Sequence, residues 1–147
     1  MKSTAFLLTA LIGVALALQV GFNAVVRTYV GSAVGAALIN FIVGTTVLAL
    51  ALLWLRLPVP SVGQLAAIPS WALLAGVAGA AYVAGSALFG PLIGGAAFVA
   101  LIIAGQMVGA LALDHFGALG FQARPVTALR LAGAALVVVG VVLLSRD

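Results

Sequence analysis

The stretch TAFLLTALIGVALALQVGFNAVV, residues 4–26, decides the fold class of this chain. A helix needs about 20 mostly apolar residues to cross the hydrocarbon core of a bilayer, and this stretch has that length and carries no charge. A cleaved secretory signal has an apolar region of only about 7 to 15 residues, so the length favours a spanning helix over a signal peptide. The stretch therefore predicts an integral membrane protein.

Three polar side chains follow one another at intervals of four residues near the end of this segment: Gln19, Asn23 and Arg27. On a helix, positions i, i+4 and i+8 share one face. A polar group among apolar neighbours costs free energy unless it meets a partner or a water-filled cavity. We call these three residues the polar stripe, and it is the first candidate for a functional site.

Two interpretations of the polar stripe are open at this point. In the first, the amides of Gln19 and Asn23 line a cavity, and Arg27 attracts or holds an anionic group. In the second, the amides form hydrogen bonds to neighbouring helices, and Arg27 extends to the membrane interface.

The composition of the whole chain agrees with a membrane protein. Of 147 residues, 66% are hydrophobic and 5% are charged, whereas soluble domains carry roughly 25% charged residues. The six basic residues are spread singly, without the basic patch that a phosphate backbone requires, so nucleic acid is not an expected partner. Cysteine is absent, which excludes disulfides and thiolate chemistry.

Five apolar segments have approximately the length of a spanning helix. They predict an all-α transmembrane bundle of five helices in a single transmembrane domain, residues 1–147. Gly90 and Pro91 predict a tight turn between the third and fourth segments. Four of the six basic residues fall on the side of the amino terminus, which favours a cytoplasmic amino terminus. The segments cover residues 4–26, 34–55, 70–89, 92–113 and 128–144.

Four further polar residues lie inside the later segments and are candidates for substrate binding. They are Asn40, Tyr82 with Ser86 one turn later, and Gln106. Each has a structural alternative, because Asn and Gln form hydrogen bonds between membrane helices. The phenolic OH of Tyr82 favours a contact with substrate, since that residue lies too deep for an interfacial belt.

Enzymatic chemistry is not expected from this chain. It contains one His, no Glu, no Cys and a single Asp before the terminus, so one copy cannot form a carboxylate pair or a multi-residue metal site. No metal and no cofactor is predicted. Asp114 is the acid that is able to carry a coupling proton; its position also suits an ion pair with Arg124 or Arg130.

Four patches give the chain a resemblance to a known family. On these patches it resembles the drug/metabolite transporter (DMT) superfamily, and within it the half-size, five-helix YdcZ-like family of unknown substrate. The patches are Gln19 with Asn23; Phe41 with Gly44-Thr45; Ala104-Gly105-Gln106 followed by Asp114-His115-Phe116-Gly117; and Arg130 with Gly133 and Gly140-Val141.

The resemblance implies half of a ten-helix unit that dimerisation completes. The second half is an antiparallel copy in a dual-topology homodimer, or an inverted related chain. It also implies transport of small metabolites by alternating access. The similar small multidrug resistance proteins use a glutamate in their first helix to exchange protons for cationic drugs, and this chain has no Glu.

We therefore predict a secondary transporter of a small polar organic metabolite, neutral or anionic, in the bacterial inner membrane. Its expected partners are the lipid bilayer, the solute and a second chain. Two other classes stay open. One is a small dual-topology dimeric ion channel of the fluoride-exporting kind, and the other is a membrane assembly subunit without a transport path.

Overall fold

The computed structural model describes residues 2–144, without the side chains of Lys2 and Ser3. Two of the six basic residues used to predict the orientation, Lys2 and Arg146, are affected by these limits. The side chain of Lys2 and the whole of Arg146 lie outside the described residues. Within residues 2–144, the chain forms six α-helices: α1 Lys2–Val30, α2 Ala33–Trp54, α3 Val62–Ala66, α4 Leu74–Ile93, α5 Gly95–Phe116 and α6 Ala128–Leu144.

Four of these helices are long and apolar enough to cross a membrane. The spans are Thr4–Val30, Ala33–Trp54, Ser70–Ile93 and Gly95–Phe116. The fifth predicted segment is α6, which has the predicted bounds but only 17 residues. The structure therefore has four helices of spanning length and one shorter apolar helix among its described residues.

Helix α1 continues past the predicted end at residue 26. It includes Arg27 and ends at Val30, just before Gly31, whose positive φ of 72° is a conformation that glycine adopts without steric cost. The N–H of Gly31 still donates to the carbonyl of Arg27 at 2.9 Å. Ser32 then caps α2, and its Oγ accepts a hydrogen bond from the N–H of Gly35. Arg27 is thus a helical residue in the last turn of α1, as the polar stripe requires, and the first helix is longer than the predicted segment 4–26.

Helix α4 contradicts the tight turn that Gly90 and Pro91 predicted. A 3₁₀ turn, Ser70–Leu73, leads into α4, which runs through both residues to Ile93. The helix is interrupted instead at Gly94, which has a φ of 85°, so α5 starts at Gly95 rather than at residue 92. A proline removes one helical hydrogen bond, but membrane helices tolerate it where another group satisfies the freed carbonyl.

The long connection after α2 contains a short helix that the proline-rich sequence did not predict. Ser61 caps α3, accepting a hydrogen bond from the N–H of Gln64 at 3.3 Å. The side chain of Gln64 accepts one from the N–H of Ser61 at 2.8 Å. The pattern S-x-x-Q was visible in the sequence as a capping box.

The chain forms two compact units, Met1–Pro91 and Leu92–Asp147. In the first, α1 packs against α2, and small buried residues let α4 approach as well. Gly90 marks this close approach, since a Cβ there would lie 2.6 Å from Cγ1 of Val20. In the second, α5 packs against α6. The single transmembrane domain stays a prediction.

Most large apolar side chains point outward, as expected for helices that face lipid. Phe6, Phe22, Leu48 and Leu136 are all more than half exposed within the chain. The buried residues are few and mainly small, and close packing of small residues is what holds membrane helices together. The buried apolar residues of the first unit are Val20, Ala36, Ala37, Val83 and Ala87.

Candidate functional site

The polar stripe of α1 begins with a contact to α2. The amide Nε2 of Gln19 donates a hydrogen bond to Oδ1 of Asn40 at 3.2 Å, and the pair is partly buried. Two of the predicted site residues, on different helices, are therefore direct partners. Both are neutral, so the pair holds no charge inside the membrane.

One turn further along α1, Asn23 makes the most buried polar contact of the first unit. Its Nδ2 donates to Oγ of Ser86 on α4 at 3.0 Å, and Ser86 in turn donates to the carbonyl of Val83 at 2.7 Å. Asn23 is 3% exposed and Ser86 is fully buried. Because unpaired polar groups at this depth are costly, this short chain of hydrogen bonds fixes how α1 and α4 pack.

Arg27 completes the stripe by reaching across to the backbone of α4. Its Nη1 donates to the carbonyl of Ala87 at 3.1 Å and to that of Leu88 at 3.4 Å. Ala87 lies four residues before Pro91, which has no N–H, so the carbonyl of Ala87 lacks its usual helical donor. Arg27 supplies the missing donor, and this explains how α4 passes through Pro91.

The described residues of the first unit line an apolar groove and a smaller cavity at Arg27. The larger is an apolar groove of about 640 Å³ between α2 and α4. The smaller, about 370 Å³, lies beside Arg27 and Pro91. The groove is lined by Val34, Ala37, Leu38, Phe41, Gly76, Val77, Ala80, Ala81 and Ala84, and the smaller cavity by Ala24, Arg27, Thr28, Gly31 and Pro91.

Tyr82 lies on α4, one turn before Ser86, and is partly buried. Positions i and i+4 share a helix face, so Tyr82 extends the side of α4 that receives Asn23. The structure thus places four predicted residues, Gln19, Asn23, Arg27 and Asn40, in a cluster of three separate hydrogen-bonded contacts within the first unit. Tyr82 lies on the same helix as their partner Ser86.

Gln106 lies in the second unit, on an exposed face of α5. Two glycines lie close to it in the sequence, Gly105 and Gly109, and a Cβ added at either would meet no atom within 4 Å. The described residues therefore leave this small-residue face uncovered. The predicted role of Gln106 in substrate binding stays a prediction.

Asp114 belongs to a compact cluster where α5 ends. Its carboxylate forms an ion pair with Arg130 of α6, and the two side chains are 21% and 32% exposed. The backbone carbonyl of Asp114 accepts from the N–H of Arg124 at 2.6 Å, and Arg130 donates to the carbonyl of Arg124 at 3.0 Å. Nδ1 of His115 accepts from the N–H of Val126 at 3.3 Å. These contacts fasten the connection 117–127 to both helices.

Sequence reasoning missed the partners on α4. Ser86 was placed near Tyr82 but not opposite Asn23, and the carbonyl of Ala87 was not considered. The sequence did contain an indication of the contact between Arg27 and the carbonyl of Ala87. A proline inside an apolar segment frees the carbonyl four residues earlier, and an arginine in a neighbouring span is able to donate to it. The identity of the partner required the structure.

A family described as "Putative inner membrane exporter, YdcZ" matches residues 4–143. The chain belongs to this family. The resemblance noted from the sequence is confirmed, and the match includes every candidate site residue. The YdcZ description makes the chain a multi-pass inner membrane protein of an exporter family, which is not an enzyme class. No match was found among curated proteins or among solved structures.

Proposed function

We propose that this YdcZ-family chain is a secondary transporter of a small polar organic metabolite across the bacterial inner membrane. The observation that carries the proposal is the pair of neutral hydrogen bonds on one face of α1, Gln19 to Asn40 and Asn23 to Ser86. Hydrogen bonds between membrane helices average about 0.6 kcal/mol each. A solute with its own donors and acceptors is therefore able to replace them at little cost as the helices move apart.

The charge of the first unit supports a neutral or anionic solute. Residues 2–91 contain no Asp and no Glu, and Arg27 is the charged group beside the cluster. A carboxylate is a common partner for a cation inside the membrane, and residues 2–91 contain none. A neutral or anionic metabolite meets amides, a hydroxyl and one guanidinium instead.

The working transporter in this proposal is a dimer of five-span chains. Helix α6 has 17 residues, about 26 Å at 1.5 Å per residue, which crosses a bilayer core of about 30 Å with modest mismatch. Its glycines Gly133 and Gly140 have open space where a Cβ would lie, as do Gly105 and Gly109. Small-residue faces of this kind suit contacts with a second chain, either an antiparallel copy or an inverted relative.

Transport assays with purified protein in liposomes test this proposal. We expect saturable uptake of at least one member of a panel of neutral and anionic solutes. Gln19→Ala and Asn23→Ala should each reduce that uptake roughly tenfold, the effect of losing about 1.4 kcal/mol of binding. The control is Thr46→Val, because the hydroxyl of Thr46 bonds only to the carbonyl of Ile42 on its own helix.

Two results would contradict the proposal. Saturable uptake of an organic cation that neither Gln19→Ala nor Asn23→Ala affects would exclude the solute class and the site. Ion flux that never saturates would indicate a channel instead.

A further inference from the structure

We propose that Arg27 and the cavity beside it form a binding site for an oxyanion, either a carboxylate or a phosphate group. The inference deepens the proposed function and rests on it for the step from a bound anion to a transported one.

The guanidinium of Arg27 is held from one side only. Nη1 makes both of its hydrogen bonds, to the carbonyls of Ala87 and Leu88. Pro91 leaves the first of these carbonyls without a helical donor, so the contact is favourable and orients the planar group. Arg27 makes no other hydrogen bond and no ion pair to the described residues, and the edge formed by Nε and Nη2 keeps its N–H groups.

That edge is the one with which arginine binds oxyanions through two parallel hydrogen bonds. The charge of Arg27 also has no local compensation, since residues 2–91 contain no acidic side chain. A partly buried cation in apolar surroundings gains free energy when an anion enters. The orientation and the charge thus favour the same ligand.

The cavity has the size and the lining for a small oxyanion-bearing group. Its volume is about 370 Å³, near the lower end of the range of about 300 to 1,000 Å³ for small-molecule sites. Besides Arg27, its walls are Ala24, Gly31, Pro91 and Thr28. The hydroxyl of Thr28 donates to the carbonyl of Val25 at 2.7 Å, so it does not donate to a ligand in this conformation. Binding therefore depends on Arg27.

The oxyanion has two possible sources that share this chemistry. One is the acidic group of a transported solute, and the other is the phosphate of a lipid headgroup, because Arg27 lies in the last turn of α1. The test uses the full-length protein in detergent, at constant ionic strength so that screening does not change. The probes are inorganic phosphate, acetate and short-chain phosphatidylglycerol, with phosphatidylcholine as the lipid control.

The measured quantity is the probe concentration that half-saturates the rise in thermal unfolding midpoint. Arg27→Gln should raise it roughly tenfold, because the bidentate contact is lost. Arg56→Gln, which removes the same charge from an exposed loop position, should change it less than about twofold. Ala24→Leu fills the cavity while leaving Arg27 in place, so this variant should also raise the half-saturating probe concentration roughly tenfold. It provides the test if the Arg27→Gln variant does not fold.

A response to phosphate or acetate identifies a solute site, and a response to phosphatidylglycerol alone identifies a headgroup site; both support the proposal. The oxyanion site is excluded if probe binding survives Ala24→Leu or Arg27→Gln, or if Arg56→Gln weakens binding as much as Arg27→Gln does. The absence of any response to the probes also excludes the site. The two proposals fail separately. Saturable transport without Arg27-dependent binding removes only the oxyanion site, whereas Arg27-dependent binding without transport removes only the transporter.

Discussion

At the scale of single residues, Pro91 and Arg27 form a compensating pair. Pro91 frees the carbonyl of Ala87, and Arg27 donates to it from the neighbouring helix at 3.1 Å. We predict that Arg27→Gln destabilises the native chain, but by about 1 kcal/mol less when Pro91→Ala is also present, since an alanine there restores the helical N–H. Thermal unfolding of the two single variants and the double variant in detergent measures this coupling.

Pro58 provides the control for that cycle because it lies outside the helices, in the connection after α2. Combining Arg27→Gln with Pro58→Ala should give additive effects. Additive effects in the Pro91 cycle as well would contradict the compensation. Arg27 would then hold α4 through a contact that is independent of the proline.

At the scale of helices and connections, the cluster around Asp114 joins α5 to α6. Its ion pair with Arg130 is partly exposed, which limits the contribution to about 1 kcal/mol. We predict that Asp114→Asn lowers the unfolding midpoint and that Arg130→Gln lowers it further, because the arginine also donates to the carbonyl of Arg124. The double variant should lose little more than Arg130→Gln alone, because both substitutions remove the same ion pair. Transport in liposomes with and without a pH gradient provides the functional measurement.

The alternative for Asp114 is the coupling of proton movement to transport. In that case Asp114→Asn would abolish the response to a pH gradient, whereas Arg130→Gln would keep it. If Asp114 acts only through the ion pair, both variants should keep the response of transport to a pH gradient. A selective loss in Asp114→Asn would instead support the predicted coupling role.

The bounds of the helices show what local sequence determines. Helix α6 starts where expected because Thr127 caps it, accepting from the N–H of Arg130 at 3.3 Å, and no charged residue follows Arg130 in the helix. The predicted position of the junction between α4 and α5 was wrong. Gly90 and Pro91 have strong turn propensity, and the contact from Arg27 helps to offset it. Propensity is local, whereas this contact joins residues 60 positions apart in sequence.

Only part of the candidate site could likewise be predicted from the sequence. The spacing of Gln19, Asn23 and Arg27 fixes one face of α1, and the sequence was sufficient to predict that face. Their partners depend on how α2 and α4 rotate and pack, so Ser86 and the carbonyl of Ala87 emerged only from the fold.

At the scale of the whole molecule, the odd number of proposed spans has a consequence for assembly. Five spans put the two termini on opposite sides of the membrane, so two copies inserted in opposite directions produce an inverted repeat without gene duplication. The weak imbalance of positive charge, four basic residues against two, is what dual insertion requires, because it gives no strong orientation. If the chain forms a transporter without another protein, we therefore expect to find copies inserted in both orientations in the membrane.

Single-cysteine labelling measures that prediction, and the absence of native cysteine removes any background. Val59→Cys and Tyr29→Cys place exposed thiols beyond the opposite ends of α2. In a dual-topology homodimer, about half of each thiol reacts with an impermeant maleimide in intact cells, and the rest reacts after the membranes are opened. In a fixed topology, one position labels fully from outside and the other only after opening. That second result would exclude the antiparallel homodimer, and the missing half of the unit would then have to come from an inverted related chain.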